Sequence, residues 1–321
     1  MNAFLTTPSR FIPFFCIFIS GVASLAYELI WIRQLALVFG GTLYAISAVL
    51  CAFMTGLALG AWGIGLFLNH RNKQKKAINS VLLYGLIEGL IGLYGLFFPY
   101  VLELISGFYS PIVNGSMELG FLLHWIEFFL STALMLPATI CMGATLPLIG
   151  SWSVGKNSER IVSDVSILYS LNTFGAVIGC LYTQTIALKY FGVSVTNFTA
   201  IGMNFLVFLL CTSLQSYFTK KSSSKIPDIK HKIYHESSSA PDRKLSLLLI
   251  FIFTYSGMAS LASEILWTRI LLFPMGTTLN SFALILATFL FGIALGSLLA
   301  GKLLGNSNHV LKFLLIQCFQ N

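Results

Sequence analysis

Ser20–Leu68 reads SGVASLAYELIWIRQLALVFGGTLYAISAVLCAFMTGLALGAWGIGLFL, and the chain returns to it at Ser256–Leu304, SGMASLASEILWTRILLFPMGTTLNSFALILATFLFGIALGSLLAGKLL. The two stretches align without a gap, Gly21 falling on Gly257. Roughly twenty of roughly fifty positions are identical, far more than two unrelated apolar helices share by composition, so this is an internal repeat. The identities are chemically informative. Ser20, Gly21, Glu28, Trp31, Arg33, Gly56 and Gly60 recur as Ser256, Gly257, Glu264, Trp267, Arg269, Gly292 and Gly296. A glutamate and an arginine repeated inside greasy helices need a reason, because each is costly there without a partner.

Composition sets the class. Hydrophobic residues make up 56% of the 321, charged residues 9%, and the mean hydropathy is +0.84. A soluble domain carries about 25% charged residues, so the chain reads as a polytopic membrane protein with the lipid bilayer as its main partner. Its net charge of +8 does not point to nucleic acid, because the basic residues sit in short loops between apolar spans. Cysteines 16, 51, 141, 180, 211 and 318 lie in apolar stretches without metal or CxxC spacing, and read as small buried residues. No metal or cofactor site is expected. Arg10 and the apolar run after it imitate a signal peptide. The same sequence recurs deep in the chain, so a retained first helix is expected.

Taken in order, the apolar spans predict helices over about Phe11–Ile32, Thr42–Leu68, Ile78–Tyr100, Phe121–Ile149, Val165–Leu188, Val195–Phe218, Leu245–Leu272 and Leu279–Leu304. Pro137 and Pro147 are expected to break the fourth. The expected fold is all-α: a transmembrane bundle of about eight full helices plus the start of a ninth after Lys312. Residues 1–218 form a first repeat of six helices, 219–244 a basic and flexible cytoplasmic linker, and 245–321 an incomplete second repeat. With the N-terminus inside, all of the 19 basic residues except Arg33, Lys189 and Arg269 fall on the cytoplasmic side. That asymmetry predicts a multi-pass cytoplasmic-membrane protein with a cytoplasmic N-terminus. An even number of crossings per period makes the repeat a parallel one, as in the halves of major-facilitator transporters.

Three motifs carry a family likeness: the repeat unit itself, LPATICMGATLPLIG, and LYSLNTFGAVIGCL. In this order they resemble the membrane region of fused spermidine-synthase-like proteins. In those bacterial multi-pass proteins, transporter-like helices precede a soluble aminopropyltransferase domain. The resemblance implies a polyamine connection and a separate aminopropyltransferase domain as partner. It does not extend to the enzyme: the chain has no strand–Gly-loop–helix unit, and its aspartates (164, 228 and 242) lie in or beside loops. No catalytic residue is assigned.

Candidate binding residues are the intramembrane acids Glu28, Glu264, Glu88 and Glu127, with Trp31, Trp267 and Asn172. Glu28 and Trp31, three apart, share a helix face that Arg33 does not. Glu28 and Glu264 admit two readings: carboxylates facing a cavity for a cation, or structural acids paired with Arg33 and Arg269. The arginines, beside tryptophans at helix ends, read first as interfacial anchors. Glu127, with His124 and Ser131, reads as a polar cluster or a proton relay. Glu103 snorkels to the interface. The spacings Gly56/Gly60, Gly175/Gly179 and Gly292/Gly296 read as close helix packing. Tyr169, Asn172, Thr173, Ala176, Cys180 and Thr183 form one small-and-polar stripe that faces protein or a wet cavity.

The functional expectation is a transporter-like membrane module handling a small organic cation such as a polyamine. The alternatives are a non-catalytic membrane anchor for an aminopropyltransferase and a truncated fragment, either of which leaves room for a homo-oligomer. The orientation is directly testable. In a background free of the native cysteines, Ser116→Cys should react with an impermeant thiol reagent on whole cells and Ser223→Cys should not. Reaction at position 223 overturns the orientation.

Overall fold

Chain this apolar crosses a bilayer only by satisfying its backbone hydrogen bonds internally, and helices do so within each segment. The computed structural model describes residues 8–39, 43–74, 79–115, 120–153, 161–213, 243–275 and 279–304. Among these it is helical throughout: α1 (Pro8–Phe39), α2 (Leu43–Lys73), α3 (Ser80–Gly115), α4 (Gly120–Ser153), α5 (Ile161–Tyr182), a π-helical segment (Thr183–Phe191), α6 (Gly192–Ser213), α7 (Arg243–Met275) and α8 (Leu279–Leu304). Seven stretches are long and apolar enough to cross a membrane, so this is a membrane protein. The side chains left facing outward, such as Leu37, Trp62, Phe108, Phe129 and Phe251, suit contact with lipid. The linker expected at 219–244 lies outside the described residues but for its last two, which begin α7. The start of a ninth helix and the side chain of His124 lie outside them altogether.

Local structure corrects the expectations in three places. α3 does not stop near Tyr100 but continues to Gly115, through much of the expected loop. Tyr109 explains the extension: it is buried, its ring sits edge-on to Phe39, and its hydroxyl donates to Glu127 Oε1 at 2.6 Å. α4 runs unbroken through Pro137 and Pro147. Tyr94 Oη, from α3, donates to the Leu134 carbonyl, beside the Ala133 carbonyl that Pro137 leaves free. The end of α5 winds into the π-helical segment, whose Thr183, Gln184, Ala187 and Leu188 are buried. The chain then turns at Gly192, where φ is 76°, a left-handed conformation that only glycine adopts readily.

The described helices α1 to α6 pack around α1, whose apolar window is 78% buried. Their packing follows an exchange rule. α1 lies along α5 as α4 lies along α2; α3 touches α4 as α6 touches α1; and α3 pairs with α6. The glycines obey the same rule. A Cβ added at Gly60 of α2 would strike the Ile140 carbonyl of α4, and one at Gly143 of α4 would strike the Leu57 carbonyl of α2. Correspondingly, Gly175 and Gly179 of α5 abut the backbone of Phe18 and Val22, and Gly21 of α1 abuts that of Asn172. Backbones this close are how helices gain packing energy where lipid removes the hydrophobic drive between them.

α8 joins this unit along α5. Cys180 Sγ donates to the Ala283 carbonyl at 3.2 Å, Phe174 meets Phe291 edge-on, and Ser297 Oγ donates to the Ser166 carbonyl at 3.3 Å. α7 packs mainly on α8, and none of its apolar window is buried.

The backbone contacts make a sharp mutational contrast. Gly60→Leu should force α2 and α4 apart and cost about 2 kcal/mol or more, read as a lowered melting temperature in detergent. Gly202→Leu on α6, where an added Cβ meets nothing, should leave it unchanged. Equal melting temperatures for the two variants contradict the α2–α4 interface.

Candidate functional site: the intramembrane carboxylates

The acids separate into three environments, each set by the helix face that carries them. Glu88 of α3 is fully buried where α3 meets α6. Asn204 of α6 donates from Nδ2 both to its Oε2, at 2.9 Å, and to its backbone carbonyl, at 3.3 Å. The hydroxyls of Ser20 and Tyr84 crowd around the same carboxyl. About two turns earlier in α6, Asn197 Nδ2 donates to the Gly95 carbonyl at 2.9 Å. These two asparagines, seven apart, stitch α6 to α3. A buried amide–carboxyl pair of this kind is a packing device that holds its partners in register.

Glu127 of α4 is tied to the end of α3 by the short bond from Tyr109. Ser131, expected on the same strip, is buried nearby on α4. Glu103 is exposed on the outer face of α3. It lines a shallow hollow with Tyr100, Leu104, Gly107 and Phe108, all residues of that one helix. One helix cannot enclose a ligand, and the hollow is not a site.

Glu28 is different. It is 3% exposed, and its Oε1 has no hydrogen-bond partner. It sits beside Cys180 of α5, close enough for charge interaction, and its charge also interacts with that of Glu264 on α7. Cys180 in turn meets α8 through Ala283. Glu28 thus lies on α1 beside the contact of α5 with α8. The two copies of the repeated glutamate lie within charge-interaction range of each other. Glu264 is half-buried there, and Thr268 caps its backbone carbonyl at 2.8 Å.

Arg33 and Arg269 do not neutralise the pair. Among the described residues neither arginine forms an ion pair with Glu28 or Glu264, and the buried Nε of Arg33 has no partner. Two acids close together with no cation beside them repel each other, and the charged forms call for one from elsewhere.

The tryptophans part company. Trp31 is completely buried against α3, stacked on Phe98 with centroids 4.7 Å apart and on Tyr27 at 5.0 Å, with Tyr94 edge-on. It is a core residue and offers no wall to a ligand. Trp267 is 51% exposed on α7. Asn172 of α5 lies against Gly21 of α1, its carbonyl and side-chain oxygen both close to that glycine. The stripe on α5 is consumed by packing: Thr173, Ala176, Cys180 and Thr183 are buried, and only Tyr169 opens outward. Asn197, Asn204, Tyr84 and Tyr109 belong to the polar interior and were not among the candidates. The signal for the asparagines was present: two amides one heptad apart in an otherwise apolar helix.

The Glu88 site can be tested as a structural pair. Asn204→Leu should remove the amide donor from a buried carboxyl and lower stability by about 1–3 kcal/mol. Adding Glu88→Leu should recover part of that loss, read by thermal unfolding in detergent. A double variant as unstable as the sum of the two single ones contradicts the pairing.

Comparison with protein-family models, with curated proteins and with solved structures gave no match for this chain.

Proposed function

We propose that this chain is a transporter-like membrane module that binds a small organic cation between Glu28 and Glu264. The observation that carries the reading is that the repeated glutamates lie within charge-interaction range of each other, with one oxygen of Glu28 buried and unbonded and neither acid paired with arginine. A buried carboxylate lacking a partner is expensive, and a bound ammonium repays that expense directly. The likeness of the three motifs to the membrane region of spermidine-synthase-like proteins makes a polyamine the first cation to try. The chain's own part is binding. Nothing in it resembles the aminopropyltransferase domain, and that chemistry belongs to a separate domain.

The architecture proposed with this function has eight crossings, a cytoplasmic N-terminus and a location in the cytoplasmic membrane. The stretch Ser163–Ser213 counts as one apolar run of 51 residues, some 75 Å as a straight helix at about 1.5 Å per residue. A hydrocarbon core of about 30 Å accommodates it only as two crossings, with the reversal at Gly192. Helices α1 and α7, α2 and α8 are then parallel repeat mates, as in major-facilitator halves.

A second reading is favoured by the fate of the other acids. Glu88 and Glu127 are bonded within the bundle and Trp31 is core, which is what a membrane anchor without a ligand needs. Calorimetric titration of spermidine into the chain in nanodiscs separates the two. The transporter-like reading expects binding that Glu28→Gln and Glu264→Gln each weaken at least tenfold, about 1.4 kcal/mol, while Glu127→Gln leaves it unchanged. Absence of binding to the unmodified chain, or binding indifferent to both glutamates, puts the anchor reading in its place.

A further inference from the structure

The repeat allows the second copy to be read against the first, residue for residue, and the positions that α3, α4 and α5 cover in the first copy are open in the second. Gly56 and Gly60 of α2 are covered by α4, where an added Cβ would strike Thr139 and the Ile140 carbonyl. Their counterparts Gly292 and Gly296 of α8 have nothing within 4 Å. Gly21 of α1 lies against the α5 backbone, whereas its counterpart Gly257 on α7 is open. Trp31 is sealed by α3, whereas Trp267 is half exposed. In the first copy, the neighbours that cover these positions are α3, α4 and α5.

The reciprocal comparison agrees. α8 buries Ala287 and Ala294 and sets Gly301 against Ser166 of α5. The matching positions of α2 are Cys51, Ala58 and Gly65, and all three are exposed. The face of α2 that corresponds to the α5-binding face of α8 is thus vacant. Polar groups make the vacancy costly: Ser260 and Ser263 are exposed on α7 beside half-buried Glu264, and in a bilayer such a face looks at hydrocarbon unless a helix covers it.

We propose that the open faces of α7, α8 and α2 are an interface for a further polypeptide segment whose transmembrane helices repeat the chemistry of α3, α4 and α5. The decisive feature of that segment is a helix of the α4 kind. It carries a small-residue notch like Thr139, Gly143 and Ala144, and seats on Gly292 and Gly296 by backbone contact. A second copy of this chain does not meet the requirement, because its own α4 and α5 are already seated on α2, α1 and α8. The proposal does not depend on cation binding and stands or falls separately from it.

The test uses the full chain in nanodiscs and, as probe, a fluorescent synthetic peptide of residues 120–153, the α4 sequence, with energy transfer to a donor dye on α8. The peptide should bind with one-to-one stoichiometry. Gly292→Leu and Gly296→Leu should each weaken it at least tenfold without altering the melting temperature of the chain. Gly143→Leu in the peptide should do the same, and Gly202→Leu in the chain should have no effect. No binding, or binding indifferent to Gly292 and Gly296, overturns the proposal; the latter is what exchange of the peptide onto α2 would give. Self-association of the chain that Gly292→Leu abolishes assigns the face to a second copy, and overturns it equally.

Discussion

Backbone-to-backbone contact between helices is the constraint on which the rest of this structure depends. Lipid is as apolar as leucine, so greasy side chains alone give two helices no reason to associate. What holds α2 to α4 and α1 to α5 is the removal of side chains at Gly60, Gly143, Gly21, Gly175 and Gly179, which lets carbonyls approach the neighbouring helix directly. These two interfaces are related by exchange of α1–α3 with α4–α6, and α3 against α6 completes the set. A bundle built on such notches has little tolerance for displacement. The positions of its few polar side chains are correspondingly well defined.

That rigidity sorts the acids. α1 is surrounded: it packs along α5 and α6 and also touches α2, α3 and α4. Ser20, Tyr27 and Trp31 point at α3, where Tyr27 lies against Gly95 and Trp31 stacks on Phe98. Glu28 lies beside Cys180 of α5 and within charge-interaction range of Glu264 on α7. Glu88 is therefore a matter of internal packing, with Asn204 as its fixed partner, while Glu28 faces a boundary between units. An acid at that place has no fixed partner within the bundle, which leaves it able to respond to a ligand.

Much of this was legible in the sequence. The repeat, the membrane class, the existence of each described helix and the packing role of Gly56/Gly60 and Gly175/Gly179 follow from hydropathy and spacing, whereas Gly292 and Gly296, expected to pack likewise, meet nothing within 4 Å; α8 begins and ends where its apolar run does. What stayed hidden were the partners. Spacing tells which residues share a face, and Glu28 and Trp31, three apart, differ by only about 60° around the helix. On a helix with neighbours on all sides that angle separates a boundary from a core. The extension of α3 was hidden for a similar reason: a stretch rich in Gly, Ser and Pro reads as a loop until Tyr109 finds Glu127. The prolines of α4 misled because a membrane neighbour, Tyr94, bonds a carbonyl beside the one that Pro137 frees. The π-helical segment had no sequence signal that periodicity could detect.

The central claim is that the repeated glutamates meet at the junction of the two copies. In a background free of native cysteines, Glu28→Cys with Glu264→Cys can be treated in membranes with a short bifunctional thiol reagent, and the basic segment between α6 and α7 then cut with trypsin. The account predicts that the two fragments stay joined, as they should for a control in which Cys180 alone is restored and paired with Ala283→Cys at the α5–α8 contact. Fragments that separate while the control pair remains joined would contradict it.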